Sequence, residues 1–318
     1  MTQDGGTLGE LGEFALIERV VDHEQGSAIE VGPGDDCAVV ASPDGRVVVT
    51  VDMLVEGRHF KRAWSTPVDV GRRAAAASMA DLSAMGARPT SLVVAFGAPA
   101  DLPSAWAVGC AAGIREEAAS QGAFVVGGDV VESPVVTISV TALGDLEGRA
   151  PVLRSGARPG DRIALAGRIG WAAAGLAVLS RGFTSPRALV EAHRFPVPPY
   201  ARGIQAAQAG ATSMIDISDG LIADMWHVAQ ASDVTLDIRT DSWQIPDPMQ
   251  AAASAYNVDP IEWMLTGGDD HALVATFPPQ SHLPEGFAVI GEVEQGDARV
   301  LVDGVERDSS GGFRHFGR

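Results

Sequence analysis

Aspartates that neighbour glycine or end an apolar run occur at five separate places, and they constrain the fold more than any other feature. They lie in the segments 34–36, 50–52, 127–129, 216–220 and 267–270. A carboxylate at the end of an apolar strand is costly unless a cation or hydrogen-bond donors compensate its charge. Mg²⁺ prefers carboxylate and phosphate oxygens, and glycine lets the backbone approach a ligand closely. The pattern therefore indicates metal and phosphate chemistry.

The length of the chain sets the expected number of domains. Its 318 residues exceed the usual size of one hydrophobic core, and the 46% of hydrophobic residues suffice for two cores. We therefore predict two domains, residues 1–150 and 151–318, with a hinge or linker at 155–161. Strands and helices mix with a similar rhythm in both halves, which predicts an α/β class.

Apolar periodicity and turn signals predict the individual elements. Helices are predicted over 11–22, 66–85, 103–120, 170–181, 186–193, 199–209 and 219–231. Strands are predicted over 37–41, 46–51, 91–97, 123–126, 135–143, 162–166, 213–217, 234–238, 271–277, 286–293 and 299–302. The first two strands flank the turn 42–45 and are expected to form a hairpin. Asp52 and Asp129 are expected to lie at strand ends.

The charge of the chain argues against two classes of partner. Forty-one acids and 23 bases give a net charge of −18, which repels nucleic-acid backbones and anionic membrane surfaces. The N-terminal segment is acidic and polar, and no apolar run approaches the roughly 20 residues that span a bilayer. We expect a cytoplasmic protein that binds neither nucleic acid nor membranes.

Lysine and cysteine usage narrows the chemistry further. Lys61 is the single lysine, and no Gly-x-x-x-x-Gly-Lys-Ser/Thr segment occurs, which excludes a P-loop. A bound nucleoside triphosphate would have to be neutralised by metals, backbone N–H groups and arginines. Cys37 and Cys110 lack a short metal-type spacing, so we expect both thiols to be buried as small hydrophobes.

Each acidic segment is ambiguous by itself, because an aspartate beside glycine most often forms an Asx-turn or caps a helix. Asp219 is such a case, since it could cap the helix predicted over 219–231. We nevertheless expect Asp216 and Asp219 to lie on one face of the strand and its extension, as a metal pair. Asp81 interrupts the apolar final turns of the helix predicted over 66–85 and needs a polar partner.

The ordered set of motifs resembles the thiamine-monophosphate kinase family, among the aminoimidazole ribonucleotide synthetase-like ATP-binding enzymes. The matching stretches are 12–17, 32–38, 52–60, 79–87, 127–129, 154–161, 215–221 and 267–270. The resemblance implies a two-domain architecture, with ATP in a cleft between the domains. It also implies that the N-terminal sheet forms a barrel-like homodimer interface.

The resemblance assigns roles to individual residues, and it implies several Mg²⁺ ions around the ATP phosphates. The implied metal ligands, direct or through water, are Asp36, Thr50, Val51, Asp52, Asp81, Asp129, Asp216 and Asp219. The implied ATP contacts are Gly128, Arg154, Ser218 and Gln121, and the implied substrate contacts are His59, Asp269 and Phe313. Three of these depart from the usual family residues: Val51 replaces Ser or Thr, Asp269 replaces Glu, and Gln121 replaces a Tyr of some relatives.

The activity that the resemblance implies is ATP-dependent phosphorylation of thiamine monophosphate to thiamine diphosphate, with no general base. A selenium-activating or amidine-forming relative is the nearest alternative. Selenophosphate synthetases, however, use an N-terminal Cys or selenocysteine beside a Lys, and the hydrogenase-maturation relatives use a terminal Cys; the chain shows neither. A non-catalytic nucleotide or Mg²⁺ sensor is a further alternative. It would keep the acidic loops without needing an acceptor pocket around His59 and Asp269.

Overall fold

The computed structural model describes residues 6–21, 26–31 and 38–307. The predicted metal ligand Asp36, the predicted substrate contact Phe313 and Cys37 lie outside the described residues. Cys110 is buried as predicted, and burial raises the pKa of its thiol to about 12. None of the helices in the described ranges is both long enough and apolar enough to cross a bilayer.

The chain forms two compact units. The first comprises Met1–Leu82 and Arg88–Gly148, and the second comprises Ser83–Ala87 and Arg149–Arg318. Each unit combines helices with a sheet that contains both parallel and antiparallel neighbours. The predicted α/β class with mixed sheets is therefore confirmed.

The first unit contains the N-terminal elements of the chain. These are α1 (Leu8–Leu11), α2 (Glu13–Val20), β1 (Ile29–Val31), β2 (Val39–Val40), β3 (Val48–Val55), α3 (Pro67–Ala84), β4 (Arg88–Ala98), α4 (Ser104–Ser120), β5 (Phe124–Glu132) and β6 (Thr137–Asp145). Its main sheet has the order β3-β6-β4-β5, with only β4 and β5 parallel.

Helix α3 packs on one face of this sheet, where the Ser78 hydroxyl donates to the Val140 carbonyl at 2.8 Å. The helix begins as predicted, because Thr66 and Asp69 form a capping box. The Asp69 N–H donates to Thr66 Oγ1 at 3.2 Å, and the Thr66 N–H donates to Asp69 Oδ2 at 2.9 Å. The buried alanines 74–77 keep the helix thin and close to the sheet.

The predicted hairpin around the turn 42–45 is wrong. The turn itself forms, with the Gly45 N–H donating to the Ser42 carbonyl at 3.0 Å. However, β2 pairs with β1, and β3 pairs over its whole length with β6. A turn sequence specifies only the local chain reversal, whereas eight paired residues decide where β3 lies.

The predicted strand-end positions of two aspartates are also wrong. Asp52 lies inside β3 and Asp129 lies inside β5, because both strands run three residues beyond these acids. The helix predicted over 11–22 corresponds to α2, and the short helix α1, which was not predicted, precedes it. Helix α1 closes where the Gly12 N–H donates to the Leu8 carbonyl at 2.9 Å.

The second unit contains the remaining elements. These are β7 (Arg162–Ala166), α5 (Trp171–Ser180), α6 (Arg187–Arg194), α7 (Tyr200–Gln208), β8 (Ser213–Ile217), α8 (Leu221–Ser232), β9 (Thr235–Ile238), α9 (Asp247–Tyr256), α10 (Pro260–Thr266), β10 (Ala272–Phe277), β11 (Phe287–Glu294), β12 (Arg299–Val302) and β13 (Val305–Glu306). Its sheet has the order β13-β12-β9-β11-β7-β10-β8.

The core of this unit lies around Phe277, which is fully buried together with Ala164 and Met214. Every residue of β8 and β10 is buried, so these strands lack the alternation of a half-exposed sheet. Helices α9 and α10 were not predicted. The signal for α10 was present, since Asp259 precedes Pro260 and its carboxylate accepts the Ile261 N–H at 2.9 Å.

Candidate active site

The first acidic cluster lies where β3 faces helix α3. Thr50 Oγ1 donates to Asp81 Oδ2 at 2.6 Å, so Asp81 has the polar partner that its place in an apolar helix required. Asp52 lies two residues after Thr50 on the same face of β3, and its Oδ2 atom is buried. Three oxygen-bearing side chains thus share one side of the sheet.

These residues suit a hard cation that arrives with its own ligands. No three His, Cys, Asp or Glu side chains within the described ranges lie close enough to hold a metal by themselves. Mg²⁺ typically takes one or two protein carboxylates and completes its shell with water and substrate phosphates. The oxygens of Thr50, Asp52 and Asp81 fit that kind of partial site.

The structure does not bring Asp129 to the same face as Asp52. Asp129 lies in one cross-strand row with Ala95, Ser139 and Met53, whereas Asp52 lies in the neighbouring row. Adjacent rows of a sheet point their side chains to opposite faces. Asp129 is therefore on the exposed face of the sheet, away from the Thr50 and Asp81 contact.

Two further predicted contacts belong to β3 and β5. The Val51 side chain is exposed on the face opposite Thr50, so only its backbone is available to a metal near Asp81. Gly128 is required by close strand packing, because a Cβ atom there would lie 2.1 Å from the Val94 carbonyl oxygen. Gly128 is itself exposed, so its backbone is accessible to a ligand.

Gln121 lies at the C-terminal end of α4. Its Nε2 atom donates to the Ser120 hydroxyl at 3.1 Å, and β5 begins only three residues later. Gly128 is four residues further along that strand, a distance of roughly 13 Å at the usual rise per residue. The role of Gln121 in ATP binding stays a prediction.

His59 is held in one orientation directly after β3. Its Nδ1 atom accepts the Val55 N–H at 2.9 Å, and the neighbouring Phe60 is buried against Trp106 with ring centroids 6.3 Å apart. A ring nitrogen that accepts a hydrogen bond carries no proton, so the neutral imidazole has its proton on Nε2. The imidazole proton is therefore on Nε2, an atom that is buried in this structure.

The second acidic cluster surrounds the end of β8. Asp216 is buried in that strand, and its Oδ2 atom lies 2.9 Å from Nδ1 of the buried His271. The prediction that Asp216 and Asp219 lie on one face of the strand is wrong. Strand β8 ends at Ile217, so the period-two alternation of side chains does not extend to Asp219. Asp219 instead belongs to the turn that joins β8 to α8.

Asp224, in the first turn of α8, holds this turn together. Its Oδ2 atom accepts the backbone N–H groups of Ser218, Asp219 and Gly220, each at 3.0 Å. Burial, followed by the negative charge of Asp216, raises the pKa of Asp224 to about 7, although the N–H donors oppose that rise. Asp224 was not among the predicted site residues.

The segment 267–271 runs along the same turn. The Asp269 N–H donates to the Ser218 carbonyl at 2.8 Å, and the His271 N–H donates to the Ile217 carbonyl at 2.9 Å. A Cβ atom at Gly268 would lie 2.1 Å from the Ser218 carbonyl oxygen, so glycine permits this approach. Asp269 and His271 adopt left-handed backbone conformations, with φ of 64° and 51°. Such local strain in non-glycine residues concentrates at functional sites.

Asp270 is buried against the N-terminal end of α5. Its Oδ1 atom accepts the Ala172 N–H at 3.0 Å, whereas its Oδ2 atom is buried without a hydrogen-bond partner. Burial raises the pKa of Asp270 to about 7, despite the donors at the helix start and the positive charge of Arg168. This carboxyl group therefore changes its protonation state near neutral pH.

Arg154 is exposed, and its carbonyl accepts the Ser232 hydroxyl at 2.8 Å. The pKa of His227 is lowered by burial and then by the positive charge of Arg154, while the carboxylate of Asp219 acts in the opposite direction. Arg154 and Asp219 thus both act electrostatically on the same imidazole. The structure brings a predicted phosphate contact and a predicted metal ligand into one neighbourhood.

Comparisons with known proteins give a consistent result. Residues 34–146 match the family model described as AIR synthase related protein, N-terminal domain. A thiamine-monophosphate kinase of Mycobacterium tuberculosis is 49% identical over 319 residues, covering 100% of this chain and 95% of that protein.

Two solved structures also resemble the chain. The thiamine monophosphate kinase of Aquifex aeolicus has a TM-score of 0.77 at 31% identity, over 82% of this chain and 89% of that chain. A structure described as AaThiL complexed with AMPPCP and TMP has a TM-score of 0.77 at 33% identity. It covers 96% of this chain and 98% of that chain.

Proposed function

The chain belongs to the thiamine-monophosphate kinase family, and we propose that it transfers the γ-phosphoryl group of ATP to the phosphate of thiamine monophosphate, yielding thiamine diphosphate and ADP. The structural observation that carries this proposal is the contact of Thr50 with Asp81 beside Asp52. It provides hard oxygen donors in a chain that has no P-loop lysine. The related structure with AMPPCP and TMP supports ATP and thiamine monophosphate as the two substrates.

We propose that Mg²⁺ ions arrive with ATP and are held on the first unit by Thr50, Asp52 and Asp81. Bound there, Mg²⁺ would compensate the charge that a triphosphate and a phosphate monoester bring together. The further metal ligands that the resemblance implies are Asp36, Val51 through its backbone, Asp129, Asp216 and Asp219. They belong to the proposal in the same way, except that Asp129 faces the opposite side of the sheet from Asp52 and would have to hold a separate ion.

The protein side chains mainly position the two substrates. His59 is proposed to donate its Nε2–H to an oxygen of the acceptor phosphate, which requires this buried atom to become accessible when the substrate binds. The guanidinium of Arg154 can form a bidentate contact with a phosphate group of ATP. Gly128, Ser218 and Gln121 complete the proposed ATP contacts, and Asp269 and Phe313 complete those to thiamine.

The acceptor needs no general base. A phosphate monoester has its second pKa near 6 and is largely dianionic at neutral pH, so its oxygen is already a nucleophile. The attacking oxygen and the leaving oxygen of ADP must lie in line with the γ-phosphorus. Rate acceleration can then come from alignment and charge compensation.

We further propose that the chain forms a homodimer through the exposed face of the first unit's sheet. Val49, Val51 and Met53 on β3, together with Val93 on β4 and Val131 on β5, expose apolar side chains there. Three of them lie at alternate positions along β3, and exposed apolar surface of this kind marks interaction sites in soluble proteins. On this view residues 1–150 provide dimerisation and ATP–Mg²⁺ binding, and residues 151–318 complete the nucleotide and substrate contacts. The use of ATP favours a cytoplasmic location.

The activity is tested by a coupled assay of ADP release with ATP and Mg²⁺. Thiamine monophosphate, free thiamine and an aminoimidazole-type acceptor are compared, and products are identified by mass. We expect thiamine diphosphate to form from the monophosphate alone. Tight binding of Mg–ATP without turnover of any acceptor would favour a nucleotide sensor instead.

A further inference from the structure

The turn between β8 and α8 is organised by a carboxylate that no predicted role requires. Asp224 is 4% exposed, and its single Oδ2 atom accepts three consecutive backbone N–H groups. Those donors belong to Ser218, Asp219 and Gly220, and two of these residues are proposed ligand contacts. The geometry couples the Asp224 side chain directly to the backbone that presents them.

Asp219 does not cap α8, although an aspartate directly before a helix usually caps it by accepting an N–H group of the first turn. Here the N-cap of α8 is Gly220, which makes no side-chain cap. Asp224 accepts the N–H of Gly220 and those of the two residues before it, so its carboxylate supports the turn that leads into the helix.

The carbonyl groups of the turn have backbone partners of their own, since the Gly220 carbonyl accepts the Asp224 N–H at 2.9 Å. The Ser218 carbonyl accepts the Asp269 N–H at 2.8 Å, which fixes the carbonyl side of one peptide unit. The N–H side of the turn converges on Asp224. Removing that carboxylate would leave three backbone donors without their acceptor, and these donors would be satisfied only if the turn rearranged.

We propose that Asp224 is a positioning residue, which holds the turn 218–220 in the conformation that presents Ser218 and Asp219 to ATP and its metal. This inference rests on the proposed function, because it concerns the same nucleotide contacts. Asp224 touches neither substrate nor the reacting atoms, and it acts through the backbone of its neighbours. Outer-shell residues of this type typically change metal affinity or activity by about 10- to 100-fold.

The test compares two substitutions at position 224. Asp224→Asn keeps an oxygen that can accept the three N–H groups, whereas Asp224→Ala removes it. We expect Asp224→Ala to weaken the Kd of Mg–ATP by about 10-fold or more, measured by calorimetry without acceptor, and Asp224→Asn to restore most of the affinity. In turnover, the KM for ATP should rise more than the KM for thiamine monophosphate, because the proposed thiamine contact Asp269 touches this turn only through a backbone hydrogen bond to Ser218.

Asp237→Ala is the matched control. Asp237 is 1% exposed in β9, and its carboxylate accepts the Gly304 N–H at 3.1 Å. Like Asp224, Asp237 is thus a buried carboxylate that accepts a backbone N–H group. If Asp224→Ala weakened Mg–ATP binding only through a general loss of stability, Asp237→Ala would weaken it equally. Equal effects, or equal rises of both KM values in Asp224→Ala, would overturn the proposal.

If Asp224→Ala does not fold, Asp224→Glu displaces the acceptor oxygen by one methylene and should weaken Mg–ATP binding without lowering the Tm to the same extent. Unchanged binding in a folded Asp224→Glu variant would then overturn the proposal.

Calorimetry separates this inference from the proposed function. A wild-type protein that binds Mg–ATP but does not phosphorylate thiamine monophosphate would refute the proposed activity. The comparison at position 224 would still decide the positioning role through the Kd alone. A wild-type protein that does not bind Mg–ATP would refute both.

Discussion

Thr50 Oγ1 lies 2.6 Å from Asp81 Oδ2, which joins the middle of β3 to the last turns of α3. Thr50 and Asp81 are 31 positions apart in sequence, and both have a proposed role in binding Mg²⁺. The hydrogen bond orients the carboxylate before any metal is bound. Preorganised ligands of this kind reduce the cost of assembling a metal site.

Thr50→Val tests the role of that hydroxyl. Valine keeps the shape of threonine but cannot donate to Asp81, so the Mg²⁺ concentration for half-maximal activity should rise by about 10-fold. Thr50→Ser keeps the hydroxyl and should remain close to wild type. The measurement is the initial rate against Mg²⁺ at fixed ATP. A valine variant with the wild-type Mg²⁺ dependence would show that the contact is only structural.

His59→Asn separates the two nitrogen atoms of the imidazole. The asparagine oxygen can accept the Val55 N–H as Nδ1 does, but the Nε2–H donor is lost. We expect the KM for thiamine monophosphate to rise by about 10-fold or more, with little change in the KM for ATP. His282→Asn, at an exposed histidine of the second unit, serves as the control. A rise in the KM for ATP alone would contradict the assignment of His59 to the acceptor.

Val49→Asp tests the proposed dimer interface. Val49 is 61% exposed on β3, and a charge there would be buried without a partner in a dimer formed through that face. Sedimentation should show a dimer for wild type and a monomer for the variant. Val305→Asp, at a residue that is 65% exposed in β13, should remain dimeric. A wild-type monomer, or a dimeric Val49→Asp variant, would be inconsistent with this interface.

Asp270→Asn tests whether the pKa of the Asp270 carboxyl group, buried against the N-terminal end of α5, is raised. Its folded-state pKa of about 7 lies above the ordinary value of 3.8, so the folded protein binds the proton more tightly than the unfolded chain does. This group therefore stabilises the fold below about pH 4, and its contribution is lost as the pH rises to about 7. Asparagine resembles the protonated acid and has no such dependence.

Chemical denaturation at pH 5 and pH 8 measures this difference. Relative to Asp270→Asn, the wild-type free energy of unfolding should fall between pH 5 and pH 8 by an amount on the order of a few kcal/mol. An equal pH dependence in both proteins would show that the Asp270 pKa is not raised.

Local sequence signals predicted most elements because those signals act within a few residues. The strands 162–166 and 213–217 match β7 and β8, and the helix predicted over 66–85 matches α3 through its Thr66 capping box. The hairpin prediction failed because the partner of β3 is β6, which lies far along the chain. Pairing at that distance depends on tertiary packing.

The residues of the candidate site likewise divide into those with a local sequence signal and those that only tertiary packing brings into place. Glycine-flanked aspartates such as Asp216 and Asp219 were visible in the sequence, whereas the residues that support them were not. His271 contacts Asp216 only because β10 lies beside β8, and Asp224 acts only because α8 folds its first turn back onto the preceding residues. An aspartate in the first turn of a helix that follows Asp-Gly was the available signal for Asp224.

The fate of the transferred phosphoryl group is measured with ATP labelled in its γ-phosphate. With thiamine monophosphate and Mg²⁺, the label should appear in thiamine diphosphate. Asp52→Asn and Asp129→Asn should each lower the rate by about 100-fold by weakening Mg–ATP binding. Label released as inorganic phosphate regardless of thiamine monophosphate would contradict the proposed kinase reaction. Either variant at the wild-type rate, with the wild-type Mg²⁺ dependence, would contradict its assignment as a metal ligand.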